Sequence, residues 1–233
     1  MIRLTTLIFA SLIFISTSFA QEKQVQATSK WEGEIAAFDK LNQTEKYSEH
    51  SILFTGSSSI RLWSTLKEDM APYPVIQRGF GGSNSPAVLQ YIERIAYPHQ
   101  LDAVVMFIAN DITGSPNDLT PQESSENFGK IVKVLRAKYK KQPIFIIEIT
   151  PTGSRWRKWT VIQEDNAKLK ALCKKEKKVY FIETALSFLN EKGEPRNELF
   201  RDDLLHLNPE GYKIWSALVK AELTKRIKMK VKS

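Results

Sequence analysis

The feature that most constrains this chain is an alternation. Short, nearly continuous apolar runs are separated by stretches whose apolar residues recur at helical spacing. The runs Ala103-Val104-Val105-Met106-Phe107-Ile108, Ile144-Phe145-Ile146-Ile147 and Val179-Tyr180-Phe181-Ile182 are rich in β-branched and aromatic residues. A strand with one wet face alternates apolar and polar residues, whereas an unbroken apolar run is a strand covered on both faces, as in parallel sheets. Five strands are expected, over residues 51–55, 75–78, 102–108, 143–149 and 179–183. Helical patterns lie at 32–47, 86–95, 121–139, 161–175 and 208–228. In the third, Phe128, Ile131, Val132 and Leu135 share a face, and in the fourth Ile162, Leu169 and Leu172 do. The fifth opens with Asn208 as N-cap and Pro209 at the first helical position. Strands alternating with helices predict an α/β chain, a three-layer αβα sandwich around a central, mostly parallel five-stranded sheet. Right-handed crossovers then place helices on both faces.

Composition narrows the class further. With 233 residues, 42% hydrophobic and 26% charged, the chain is neither disordered nor low-complexity. Its single Cys excludes an intramolecular disulfide framework and a Cys-rich zinc module. The N-terminus reads as an address. Met1-Ile2-Arg3 is a positive start, residues 4–15 are mostly apolar, and Ser16-Thr17-Ser18-Phe19-Ala20 ends in small residues. This is the pattern of a signal peptide, residues 1–20, cleaved after Ala20. It predicts a secreted or periplasmic protein with no integral membrane span after cleavage, and one domain over 21–233; an uncleaved N-terminal anchor is the alternative. The formal net charge is +8. Its Lys-rich stretches, 130–141 and 168–178, fall on predicted helices and read as solvated outer faces. They lack the interleaved aromatics of a nucleic-acid surface, so no nucleic-acid partner is expected.

In open α/β sheets, ligands bind beyond the carboxyl ends of the strands. After the first strand comes Gly56-Ser57-Ser58-Ser59, after the second Gly79-Phe80-Gly81-Gly82-Ser83-Asn84, after the third Asn110-Asp111, and before the last helix Asp203-Leu204-Leu205-His206. These ends supply a hydroxyl, glycine amides, a carboxamide, a carboxylate and an imidazole, the groups that acyl transfer through a serine requires. The spacing of Asp203 and His206 lets one short turn bring carboxylate to imidazole. The first block is not a Gly-x-Ser-x-Gly elbow, because Ile60 stands at the last Gly. No His-Glu-x-x-His helix, phosphate-cradling Gly-Lys loop or dinucleotide fingerprint is present, so no metal and no cofactor are expected.

The four blocks in this order resemble the SGNH (GDSL-type) hydrolase superfamily, over about residues 52–215. The segment Ile52 to Trp63 is similar to its branch with Gly-Ser-Ser-Ser in place of Gly-Asp-Ser-Leu. Gln77-Arg78-Gly79-Phe80-Gly81-Gly82-Ser83 is similar to its glycine block, and Asp203 through Tyr212 to its final block. The resemblance implies the flavodoxin-like fold of that superfamily and a serine esterase. It implies Ser58 as nucleophile, His206 as general base and Asp203 as its orienting acid. It also implies an oxyanion hole from the Ser58 amide, the Gly82 amide and the Asn110 side chain. Ser57 occupies the position of the usual Asp. Where the family has Gly-x-Asn-Asp, this chain has Ile108-Ala109-Asn110-Asp111, which puts the aim of the Asn110 amide in question. His50 and His99 match no block. Arg155, Trp156, Arg157 and Trp159, after the fourth strand, are candidate substrate contacts, able to stack on a sugar or meet an anion. The expected substrate is a small-molecule or carbohydrate ester with a short acyl group. A lipid-directed acylhydrolase and a non-catalytic ligand-binding protein remain as alternatives.

Overall fold

The computed structural model describes residues 30–227, and the signal peptide expected over residues 1–20 lies outside them. The apolar runs form five strands, β1 (Ser51–Gly56), β2 (Val75–Gly79), β3 (Leu101–Phe107), β4 (Ile144–Ile147) and β5 (Val179–Ile182). They lie in the order β2-β1-β3-β4-β5. All four pairings are parallel, so the sheet is wholly rather than mostly parallel. β1 is buried at every position, as its place between two other strands demands.

The helices are α1 (Glu32–Thr44), α2 (Ser58–Arg61), α3 (Leu66–Met70), α4 (Ser85–Ala96), α5 (Pro121–Lys138), α6 (Trp159–Lys175) and α7 (Pro209–Arg226). α4, α5 and α6 pack side by side, with α1 against α4, while α3 meets α7 on the other face. This is the three-layer sandwich that the alternation predicts. Asn208 caps α7 by accepting from the Gly211 N–H at 3.0 Å. α5 carries a capping box, with Thr120 and Glu123 each accepting the other's backbone N–H. The Lys-rich stretches do fall on α5 and α6 and just beyond them, with most of their lysines exposed.

The differences from expectation have local causes. α2 and α3 are too short to show an apolar period in the sequence. β4 ends at Ile147, although the Glu148 N–H still reaches Ile182 O of β5 at 3.0 Å. The Glu148 carboxylate accepts the N–H groups of Thr184 and Ala185, both at 2.7 Å. The Ile149 backbone pairs with the Asn166 carboxamide of α6, at 2.9 and 3.0 Å. Residues Gly153–Lys158, between the fourth strand and the fourth helical pattern, form a 3-10 turn that runs straight into α6.

α1 is tied to the loop after β2. The Trp31 indole N–H donates to Gly81 O at 2.7 Å, and Glu34 accepts the Gly81 N–H at 3.3 Å. Trp31 also meets Phe80 edge-on, with ring centroids 6.0 Å apart.

Candidate active site

The sheet order reverses at β1, because β2 lies on one side of it and β3 on the other. Chains leaving β1 and β3 therefore diverge and open a crevice at their carboxyl ends. Gly56 makes the exit from β1 at φ 120°, a conformation open to glycine, and a Cβ there would stand 1.9 Å from Phe107 O. The Ser57 N–H instead donates to that oxygen at 2.8 Å. Ser58 then opens α2 at the mouth of the crevice.

Ser58 Oγ lies 2.9 Å from His206 Nε2, although 148 positions separate the two residues. His206 Nδ1 lies 2.6 Å from Asp203 Oδ2. With the Nδ1 hydrogen directed at the carboxylate, Nε2 is left as the acceptor for the serine hydroxyl. Asp203 Oδ1 accepts the N–H groups of Leu205 and His206, each at 2.9 Å. Burial works to raise the Asp203 carboxyl, but these hydrogen bonds outweigh it and hold the group down at about 2. Leu204 takes φ 51° inside this turn, an uncommon conformation for a residue with a Cβ. It is braced by backbone bonds from Leu204 N to Arg201 O (2.8 Å), Arg201 N to His206 O (2.8 Å) and Ser154 N to Leu204 O (3.1 Å). The Tyr212 hydroxyl on α7 donates to Ser59 O at 2.8 Å, so the final helix is pinned to the turn carrying Ser58.

Asn110, three residues past β3, is oriented from both ends. Its Nδ2 donates to Ser83 O at 3.0 Å, and its Oδ1 accepts from Arg155 Nη2 at 2.5 Å. Arg155 also donates to Ala109 O. Arginine has no acceptor, so it fixes which end of the carboxamide is oxygen. Arg155 lies against the crevice, and burial lowers its guanidinium to about 10. Ile108 is buried in the core, and Asn110 still lines the crevice behind Ser58. Gly82 is exposed at φ 66° and is not among the residues lining the enclosed part of that crevice; its loop reaches Asn110 through the Ser83 carbonyl.

Beneath Asn110 lies a buried acidic pair that the sequence does not signal. Asp111 accepts the Ser85 N–H at 2.7 Å, which anchors the start of α4. The Ser124 hydroxyl stands 2.9 Å from Asp111 Oδ2 and 3.2 Å from Asp165 Oδ2. One hydroxyl hydrogen cannot serve two carboxylates, so one of the acids carries a proton. Burial, reinforced by the Asp111 charge, pushes Asp165 up to about 7. Burial raises Asp111 as well, but Asp111 also accepts the Ser85 N–H whereas Asp165 Oδ1 has no partner, so Asp165 is the acid that keeps its proton and donates to Ser124 Oγ.

The enclosed part of the crevice has a volume of about 20 Å³, lined by Ser58, Asn110, Thr150, Arg155, His206 and Trp215 among others. Of the four candidate substrate contacts only Arg155 lines it. Trp156 is half-buried and stacks on the buried Trp159, with centroids 6.0 Å apart. Arg157 is exposed and lines a neighbouring cavity. His50 pairs with Asp102 at 3.1 Å, and His99 is buried, with burial lowering its imidazole to about 4. Among the described residues no group of three or more His, Cys, Asp or Glu is placed to hold a metal ion.

A sequence profile of the GDSL-like lipase/acylhydrolase family matches residues 44–214. Solved structures with the same fold include a GDSL-like lipase from Bacteroides thetaiotaomicron (19% identity, 83% of this chain and 100% of that chain, TM-score 0.67). A lipase/acylhydrolase from Enterococcus faecalis is similar at 21% identity (78% and 100%, TM-score 0.65). A carbohydrate esterase family 3 protein from Talaromyces cellulolyticus is similar at 13% identity (76% and 97%, TM-score 0.58). No curated protein matched the chain.

Proposed function

The chain belongs to the GDSL-like lipase/acylhydrolase family, and on that premise we propose that it is an exported serine esterase for short acyl groups on carbohydrate or similar soluble alcohols. The observation that carries this reading is the unbroken hydrogen-bond path from Ser58 Oγ through His206 to Asp203. In the proposed reaction His206 Nε2 takes the hydroxyl proton as Ser58 Oγ attacks the ester carbonyl carbon. The resulting oxyanion is met by the Ser58 N–H, the Gly82 N–H and the second Nδ2 hydrogen of Asn110. His206 gives its proton to the departing alkoxide as the ester C–O bond breaks. Water, deprotonated by the same imidazole, then attacks the acyl-enzyme, and Ser58 Oγ recovers its proton as the acid leaves. Asp203, held anionic, keeps the imidazole in the working tautomer and offsets its charge when protonated.

The short-acyl part of the reading rests on the 20 Å³ recess beside Ser58, room for about one water-sized group such as an acetyl methyl. A long acyl chain has no such room, which speaks against the lipid-directed alternative. The test is hydrolysis of p-nitrophenyl esters of rising acyl length by the mature protein and by Ser58→Ala. Acetate is expected to be the best substrate, and Ser58→Ala to lose both turnover and fluorophosphonate labelling. Full activity in Ser58→Ala overturns the reading, and rates that climb with chain length or at lipid surfaces transfer it to a lipase. Export is supported by the pattern of residues 1–20 and, in keeping with it, among the described residues no helix is long and apolar enough to cross a membrane. Protein recovered outside the cytoplasm is expected to begin at Gln21, and a start at Met1 would contradict this.

A further inference from the structure

A second cavity, of about 370 Å³, adjoins the crevice and is lined by Thr113, Gly114, Ser154, Arg155, Arg157 and Lys158. Arg155 lines both cavities, so the two lie against the same guanidinium. Arg155, Arg157 and Lys158 all come from the one 3-10 turn, Gly153–Lys158. Their charges are not neutralised locally. Arg155 donates to two uncharged oxygens, Ala109 O and Asn110 Oδ1. Among the described residues neither Arg157 nor Lys158 has an ion pair or a side-chain hydrogen bond. The acid that acts on Arg155 is Asp118, and its carboxylate is committed to its own loop. It accepts from Thr113 Oγ1 at 2.8 Å and from the N–H groups of Gly114 and Ser115 at 2.7 and 3.2 Å. The Lys158 stem runs along Gly114, where a Cβ would lie 3.8 Å from it, so the ammonium stays with the cavity wall. The Ser154 hydroxyl adds a donor, the Thr113 hydroxyl having given its hydrogen to Asp118, and the lining contains no acidic residue.

We propose that this cavity seats an anionic oxygen group, a carboxylate or a phosphate, on the alcohol side of the ester. The proposal rests on the esterase reading, because it takes the small recess beside Ser58 as the acyl side. The alcohol then leaves the recess on its open side, and the larger cavity across Arg155 receives whatever that alcohol carries. The preferred substrate is therefore a short-chain ester of an acidic alcohol, an acidic sugar or a sugar phosphate by class.

The probes are 4-acetoxybenzoate and 4-acetoxyphenyl phosphate against the neutral 4-acetoxybenzamide, each enzymatic rate being divided by the hydroxide rate for that ester. At low salt the anionic esters are expected to win by about tenfold in kcat/KM, the scale of a few partly exposed charge contacts. The preference is expected to shrink with added salt and to fall to near unity in the doubly substituted Arg157→Gln/Lys158→Gln protein, whose changes are at exposed positions. Whichever anionic ester is preferred names the source of the charge. No preference in the parent protein, or one that survives the double substitution, overturns the proposal. If none of the three esters is turned over, the esterase reading fails instead. The subsite is then judged by equilibrium binding of 4-hydroxybenzoate, expected to weaken about tenfold in the double variant. Equal binding there overturns it.

Discussion

The Asn110 carboxamide nitrogen has two hydrogens, one of which is directed at Ser83 O. Only the other is free for a developing oxyanion, and its direction depends on Oδ1 staying against Arg155. Loss of one oxyanion donor typically removes ~10²–10³ in kcat. Asn110→Ala is expected to fall by that factor with little change in KM for p-nitrophenyl acetate. Arg155→Met is expected to lose about tenfold or more in kcat through the same carboxamide, and the double variant to be no slower than Asn110→Ala alone. Additive losses would show that Arg155 acts independently. At this scale the sequence was legible where chemistry sits directly after a strand. Ser58, Asn110 and the pair Asp203 and His206 were singled out there, and the fold brings them together. The sequence offers Arg155 as a substrate contact, and nothing in it shows that the turn after β4 also folds back onto the turn after β3. Gly82 is signalled by its block alone, and its exposure outside the enclosed part of the crevice depends on a loop conformation that spacing does not fix.

Among elements, the packing of α5 against α6 holds a proton that no motif announces. Asp165 and Ser124 come from these two helices, and Asp111 joins them to the start of α4. The Asp165 carboxyl is raised from 3.8 to about 7 by burial and the nearby Asp111. A raised acid keeps its proton in the folded chain where the unfolded chain has lost it, so folding stability falls as pH rises from about 4 to about 7 and then levels. An Asn at 165 offers Ser124 an N–H in place of the acid O–H and has nothing to titrate. Asp165→Asn is expected to flatten that decline and to gain at most about 4 kcal/mol over the parent at pH 8. Urea unfolding at pH 4, 6 and 8 checks this, and parallel curves for the two proteins would mean that Asp165 is ionised in the fold. The strands were legible at this scale because continuous apolarity is a property of a few adjacent residues. α2 and α3 are too short to show a period, and the early end of β4 depends on partners distant in sequence, such as Asn166 for Ile149.

Over the whole molecule one cluster of buried residues runs from Trp31 to Leu223, and both layers of helices share it. The Ser58 and His206 contact spans that core rather than a local turn. Activity and far-UV circular dichroism are therefore expected to vanish at the same urea concentration, as in a single cooperative transition. Activity lost well before the dichroism would show that the 201–206 turn opens on its own. The indole of Trp31 and the carboxylate of Glu34 both grip Gly81, next to the glycine proposed to meet the oxyanion. α1 is thus a bracket beneath the loop proposed to help hold the oxyanion. A trimmed protein starting beyond residue 34 would keep every strand and the three side chains proposed to react, yet leave that loop without its mounting.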